Sequence, residues 1–193
     1  VQTCALPILD ATCPYVENIH KKVKKYYDLG YHIIIVGDKN HPEVIGINGW
    51  CNDCALILKR GVDVGITENK VCVVAQTTER QVTWEHVLTK IIKMSKEIVA
   101  FNTICSATEV RQKSAEEISK KVDAMVVIGG FNSSNTTKLY EICKKNCENT
   151  IHVENLLDIS DEFLKDKNIK QIGVTAGAST PDWIIKEAIL KMN

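Results

Sequence analysis

The chain has 193 residues, 45 % apolar and 25 % charged, a composition that suits one large or two small globular domains with real cores. Lysine plus arginine and aspartate plus glutamate number 24 each, so no global field favours nucleic acid or an anionic membrane. No apolar run reaches the roughly 18–20 residues of a membrane span, and the first residues of this sequence lack the basic segment, apolar stretch and small-residue cleavage site expected of a secretory signal.

Residues 1–8, Val-Gln-Thr-Cys-Ala-Leu-Pro-Ile, fit nothing that follows and back-translate to the end of a sequencing-library adapter. They are expected to be a non-native segment, outside fold reasoning, which leaves Cys4 without a functional role.

From Asp10 onward helical and strand-like patterns alternate. Residues 15–29 carry Val16, Ile19, Val23 and Tyr26 at helical spacing and stop at Gly30. Residues 33–37 form a short continuous apolar run, the mark of a buried parallel strand. Pro42 can open the next helix, because a first turn does not use its missing N–H. Further strands are predicted at 55–58, 71–75, 98–101, 124–128, 151–153 and 171–175. Helices are predicted near 80–93, 109–122, 136–146 and 181–192. The alternation predicts an α/β fold, parallel sheets with helices on both faces.

The pattern repeats. Cys13 lies 24 residues before Gly37 and 28 before His41; Cys105 lies 24 before Gly129 and 28 before Ser133. Each copy closes with an apolar strand that runs into hydroxyl residues, at Thr77-Thr78 and at Ser179-Thr180. Two similar modules with small parallel sheets follow, 9–101 and 102–193.

In such folds ligands collect beyond the carboxyl ends of the strands. Ser133, Ser134 and Asn135 open a helix, where free N–H groups favour an anion, although most such trios are simple caps. His41 and Glu43 open another helix: an imidazole can hold phosphate oxygens, and a carboxyl can deliver a proton. Thr77 follows a buried strand and can orient a hydroxyl or relay a proton. Taken singly, each has an ordinary capping or turn explanation; the repeat brings them to one rim.

Eight cysteines without an export signal point to thiols, metal ligands or redox chemistry. Cys13 and Cys105 hold equivalent positions, which suits a soft thiolate centre such as an iron–sulfur cluster. Cys51 and Cys54 have redox-motif spacing but read as loop cysteines, Cys72 reads as core, and Cys143 and Cys147 read as surface or half-buried thiols. His20, His32, His86 and His152 read as structural or surface residues.

The segments D-A-T-C-P, H-P-E-V-I-G, Q-T-T, N-T-I-C-x-A-T, N-S-S-N and G-V-T-A-G-A-S-T-P-D, in this order, resemble the LytB/IspH family of 4-hydroxy-3-methylbut-2-enyl diphosphate reductases. The resemblance runs from about Leu9 to the C-terminus. It implies three α/β modules about a pseudo-threefold axis, each giving one cysteine to a [4Fe–4S] cluster, with this chain similar to the second and third. Cys13 and Cys105 would then be metal ligands, and the third cysteine would belong to a first module that is absent here. Glu43 and Thr77 would be catalytic, and His41, Thr77, Ser133, Ser134, Asn135 and Ser179 would bind substrate. The implied reaction is a two-electron reductive dehydroxylation of a small allylic diphosphate to isopentenyl and dimethylallyl diphosphate, in non-mevalonate isoprenoid biosynthesis. The implied partners are ferredoxin or flavodoxin as electron donor, in the cytoplasm, with no nucleic acid and no membrane. This stretch alone is expected to hold a cluster poorly and to be inactive. The alternatives are a non-catalytic phosphate- or nucleotide-binding α/β module, which leaves Cys13 and Cys105 without a purpose, and a zinc-stabilised interaction protein built on the other cysteines.

Overall fold

The computed structural model describes residues 10–59 and 69–192. Residues 1–8, expected to be non-native, lie outside the described residues, as does any strand before Asp10. The chain divides into two compact units, Val1–Thr103 and Ile104–Asn193.

The first unit holds α1 (Pro14–Asp28), β1 (His32–Val36), α2 (Pro42–Gly49), β2 (Leu56–Leu58), β3 (Lys70–Ala75), α3 (Gln81–Ile92) and β4 (Glu97–Phe101). Its strands form one parallel sheet in the order β2-β1-β3-β4. Successive side chains of a strand point to opposite faces. Ile33 and Ile35 of β1, with Cys72 and Val74 of β3, therefore pack on Ile19 and Val23 of α1 and Val44 and Ile47 of α2. The alternate residues Ile34, Val36 and Val73 are equally buried on the face opposite, where α3 supplies Trp84, Val87 and Ile91. Both faces are covered, which is why β1 and β3 read as unbroken apolar runs.

The second unit holds α4 (Ser106–Ser119), β5 (Ala124–Ile128), α5 (Ser134–Asn146), β6 (Thr150–Val153), a 3-10 turn (Leu156–Asp158), α6 (Asp161–Lys165), β7 (Ile172–Ala176) and α7 (Asp182–Met192). Its parallel sheet runs β6-β5-β7. Met125 and Val127 of the central strand face Ala115 of α4 and Leu139 and Cys143 of α5. Val126 and Ile128 face Ile159, Ala188 and the apolar sides of α6 and α7.

The structure departs from the sequence-based expectation in three places. Helix α4 begins at Ser106, three residues before the expected 109, because Cys105 takes the cap position and a polar first turn hides the helical period. The 3-10 turn and α6 were not expected; α6 is only five residues long and is capped by the Ser160 hydroxyl, which accepts from the Phe163 N–H. Cys143 and Cys147 are core residues rather than surface thiols, since the inner face of α5 carries Leu139 and Cys143 one turn apart and Cys147 packs into the same cluster. Among the described residues no helix is long and apolar enough to cross a membrane.

Candidate functional site

The two units end their central strands in the same way. The Gly37 N–H after β1 donates to the Leu58 carbonyl at the end of β2 (3.0 Å), and the Gly129 N–H after β5 donates to the Val153 carbonyl at the end of β6 (2.9 Å). The residue after each closing strand also matches: the Gln76 N–H donates to Val36 and the Gly177 N–H to Ile128, both at 2.9 Å. The spacing repeat in the sequence thus corresponds to a repeated hydrogen-bond pattern at the carboxyl ends of both sheets. Both glycines are required sterically. A Cβ on Gly37 would lie 2.9 Å from Gln76 and Val44 side-chain atoms. Gly129 has φ of +144°, and a Cβ there would lie 2.8 Å from the hydroxyls of Thr136 and Thr180.

In the first unit the structure brings His41, Glu43 and Thr77 together. His41 caps α2: its Nδ1 accepts the Glu43 N–H at 3.2 Å. A ring whose Nδ1 accepts carries its proton on Nε2 when neutral, so Nε2–H is left as a donor away from the helix. Glu43, in the first turn, sends its carboxyl to the end of β3. There Oε1 accepts the Thr77 N–H at 2.6 Å and Oε2 accepts the Thr77 hydroxyl at 2.7 Å. Thr77 is 8 % exposed and Glu43 half-buried, so this two-point grip is only partly screened by solvent. The turn below it is braced by Gln76, fully buried, whose Oε1 accepts the Asp38 N–H and whose amide nitrogen donates to Thr78.

In the second unit Ser133 caps α5, with Oγ accepting the Thr136 N–H at 3.4 Å. Ser134 begins the helix and Asn135 follows in its first turn. Asn135 is 5 % exposed, and both its amide oxygen and its amide nitrogen are buried without a hydrogen-bond partner. A burial of that kind costs about 1–3 kcal/mol and needs an explanation. A ligand at the α5 N-terminus, where the first-turn N–H groups also point, supplies one. Ser179 is exposed in the loop after β7, next to Thr180, whose hydroxyl donates to the Ile128 carbonyl.

Cys13 and Cys105 occupy the same local position, each the cap residue of its helix. Their backbone angles match, φ −56° and ψ 130° against −67° and 129°, and neither thiol caps its helix. Of the seven described cysteines, Cys13 and Cys54 are exposed and Cys105 is half-buried, whereas Cys51, Cys72, Cys143 and Cys147 are buried. Burial pushes the thiols of Cys51 and Cys143 up to about 11 and that of Cys72 up to about 12, so these three stay protonated and make poor ligands. Among the described residues no group of three or more His, Cys, Asp or Glu side chains could hold a metal ion. Cys13 and Cys105 are thus accessible thiols at matched cap positions, a chemistry that suits soft metal donors.

One residue near the site was not singled out by the sequence. His20 of α1 stacks on Trp50 at 5.3 Å between ring centroids, and its Nε2 is buried without a partner. Burial lowers its pKa below the ordinary 6.5 against the opposing pull of Glu43, Asp10 and Glu17, so the ring is neutral at neutral pH. Nothing in the spacing of His20 distinguishes it; only the packing of α1 on α2 does.

The family model described as LytB protein matches residues 1–193. A 4-hydroxy-3-methylbut-2-enyl diphosphate reductase from Clostridium perfringens is 63 % identical over 187 residues, covering 97 % of this chain and 66 % of that protein. The reductase of the same description from Clostridium acetobutylicum is 62 % identical over 190 residues, covering 97 % of this chain and 29 % of that one. This chain thus spans less than two-thirds of these relatives. A solved structure of (E)-4-hydroxy-3-methyl-but-2-enyl diphosphate reductase, the terminal enzyme of the non-mevalonate pathway, aligns with TM-score 0.60 and 39 % identity over 97 % of this chain and 68 % of that one. The Plasmodium falciparum E-1-hydroxy-2-methyl-but-2-enyl-4-diphosphate reductase aligns with TM-score 0.82 and 28 % identity over 95 % of this chain and 59 % of that one. With the whole sequence matched and relatives above 60 % identity, the chain belongs to the LytB protein family.

Proposed function

We propose that the intact protein carrying this sequence is an oxidoreductase that converts 4-hydroxy-3-methylbut-2-enyl diphosphate to isopentenyl and dimethylallyl diphosphate. The observation that carries this reading is the grip of Thr77 on both carboxyl oxygens of Glu43, beside a capping His41, in a chain of this family. The two units correspond to the second and third modules of the family. Cys13 and Cys105 each supply one thiolate to a [4Fe–4S] cluster, and the remaining thiolate belongs to the part of the relatives that this chain does not span. When bound, such a cluster supplies an open iron as Lewis acid and a path for electrons.

The residues of this chain do the rest. The α5 N-terminus, with Ser133, Ser134 and the amide of Asn135, receives the diphosphate, and Ser179 adds a hydroxyl from the β7 loop. In the first unit His41 would bind substrate through its Nε2–H, as the family resemblance implies. Glu43 is the proton donor. Once protonated on Oε2, it reverses its hydrogen bond and donates to the Thr77 hydroxyl, which turns its own proton outward to the substrate oxygen. The backbone N–H of Thr77 stays on Oε1 throughout and keeps the carboxyl aligned. The carbon–oxygen bond breaks and water leaves, while two electrons and a second proton pass to the carbon skeleton. The electrons come from ferredoxin or flavodoxin in the cytoplasm.

The test is Glu43→Gln in the intact protein. The amide keeps an oxygen for the Thr77 N–H but has no acidic proton, so turnover should fall by about 10²- to 10⁴-fold. Iron content and substrate affinity should stay close to wild type. Wild-type turnover in the variant would sink the assignment.

A further inference from the structure

Cys51 and Cys54 play no part in the reading above. Cys51 follows α2 and is fully buried, its thiol donating to the Asn48 carbonyl at 3.1 Å, while Cys54 is exposed. The two residues between them, Asn52 and Asp53, both have positive φ, +55° and +56°. The Cys54 N–H returns to the Cys51 carbonyl at 3.2 Å. Two central residues at positive φ with that closing bond make a type I′ turn, uncommon for two non-glycine residues. Such a turn brings its end Cα atoms within about 7 Å, which overlaps the roughly 4.4–6.8 Å separation that a disulfide spans. The Cys54 thiol donates to the Cys51 carbonyl at 2.8 Å, so its sulfur lies back against the turn.

We propose that Cys51 and Cys54 are a redox-active thiol pair that closes to a disulfide on reaction with a low-molecular-weight disulfide. The chemistry balances in two exchanges. The Cys54 thiolate attacks one sulfur of the small disulfide and releases one small thiolate, leaving a mixed disulfide on Cys54. The Cys51 thiolate then attacks the Cys54 sulfur and releases the second small thiolate. Two protein thiols lose two electrons and two protons, and one small disulfide is reduced to two thiols. Exposure makes Cys54 the point of entry, and burial makes Cys51 the resolving thiol. Because burial pushes the Cys51 thiol up to about 11, the thiolate that closes the pair grows about tenfold per unit as pH rises towards that value. Closure removes the S–H bond from Cys51 to Asn48, at the end of α2 opposite His41 and Glu43. In reducing compartments such bonds are transient and sensory rather than structural.

The test uses oxidised glutathione on the whole 193-residue chain, with acid quenching, alkylation of remaining thiols and tryptic mass mapping. Lys39 and Lys59 bound a peptide, residues 40–59, that holds Cys51, Cys54 and no other cysteine. The expected product is that peptide lighter than the dithiol by two hydrogen atoms and resistant to alkylation, formed faster at higher pH. In Cys51→Ser the peptide should carry a lasting glutathione adduct on Cys54. In Cys54→Ser the buried Cys51 should stay unmodified while the chain is folded. Two free thiols in the wild-type peptide, under conditions that modify Cys13 and Cys105, would overturn the proposal. So would a mixed disulfide on Cys54 that never closes, or a glutathione adduct on Cys51 in folded Cys54→Ser. None of these outcomes depends on the reductase reading.

Discussion

Replacing Asn135 with leucine separates a binding residue from a structural one. The Asn135 side chain is 5 % exposed, and neither end of its amide has a hydrogen-bond partner. Keeping an amide buried in that state costs about 1–3 kcal/mol on protein mutational scales. Leucine is close in shape, has no polar atoms to satisfy and is a better helix former, so Asn135→Leu should stabilise the free chain by roughly that amount. In a melting experiment this is a rise of about 2–8 °C per kcal/mol, the upper end applying if the second unit melts alone. The same change should weaken binding of inorganic pyrophosphate to the intact protein. A hydrogen bond to a charged group contributes about 1.5–3 kcal/mol, so affinity by titration calorimetry should drop about 10- to 150-fold. Gain of stability with loss of affinity is the signature of a polar group held ready for a ligand. A lower melting temperature with unchanged pyrophosphate affinity would show that the amide serves the core, and the argument for a diphosphate site at α5 would fail.

Two further expectations concern the core. Gly37→Ala puts a Cβ 2.9 Å from Gln76 and Val44 atoms beneath the Glu43–Thr77 grip. It should destabilise by about 1–3 kcal/mol in urea denaturation and lower turnover of the intact protein; an unchanged midpoint would mean that the strand end has room to give. The buried thiols of Cys51, Cys72 and Cys143 titrate higher than the ordinary 9.0 of an unfolded chain. Above pH 9 the unfolded state therefore binds fewer protons than the folded one, and stability falls as pH rises. The slope is at most about 1.4 kcal/mol per pH unit for each thiol until about 11 or 12, and Cys72→Ala should reduce the slope of stability against pH there.

Much of the fold was legible because burial on both faces writes itself into the chain. The central strands β1, β3 and β5 are unbroken apolar runs, and equal spacings from Cys13 and Cys105 to Gly37 and Gly129 marked the repeat before any geometry. Less legible were features set by packing. Cys143 and Cys147 read as surface or half-buried thiols, yet Cys143 lies on the face that meets Ala115. In α4 the cap is a cysteine, which carries no capping signal of its own. The site divided in the same way. His41 and Glu43 could be placed at a helix start from Pro42, but the contact between Glu43 and Thr77 joins residues 34 positions apart across two strand ends, and no spacing reveals it. Likewise, an Asn after a Ser cap reads as an ordinary first-turn residue until its amide is found buried and unpartnered.

The most direct test of the central claim is iron and acid-labile sulfide per chain after anaerobic reconstitution of the intact protein, compared with Cys13→Ser and Cys105→Ser. The expected wild-type result is one [4Fe–4S] cluster per chain, with each serine variant losing most of its iron and its turnover of 4-hydroxy-3-methylbut-2-enyl diphosphate. Both variants retaining a full cluster and wild-type turnover would contradict the assignment of these two cap cysteines as its ligands.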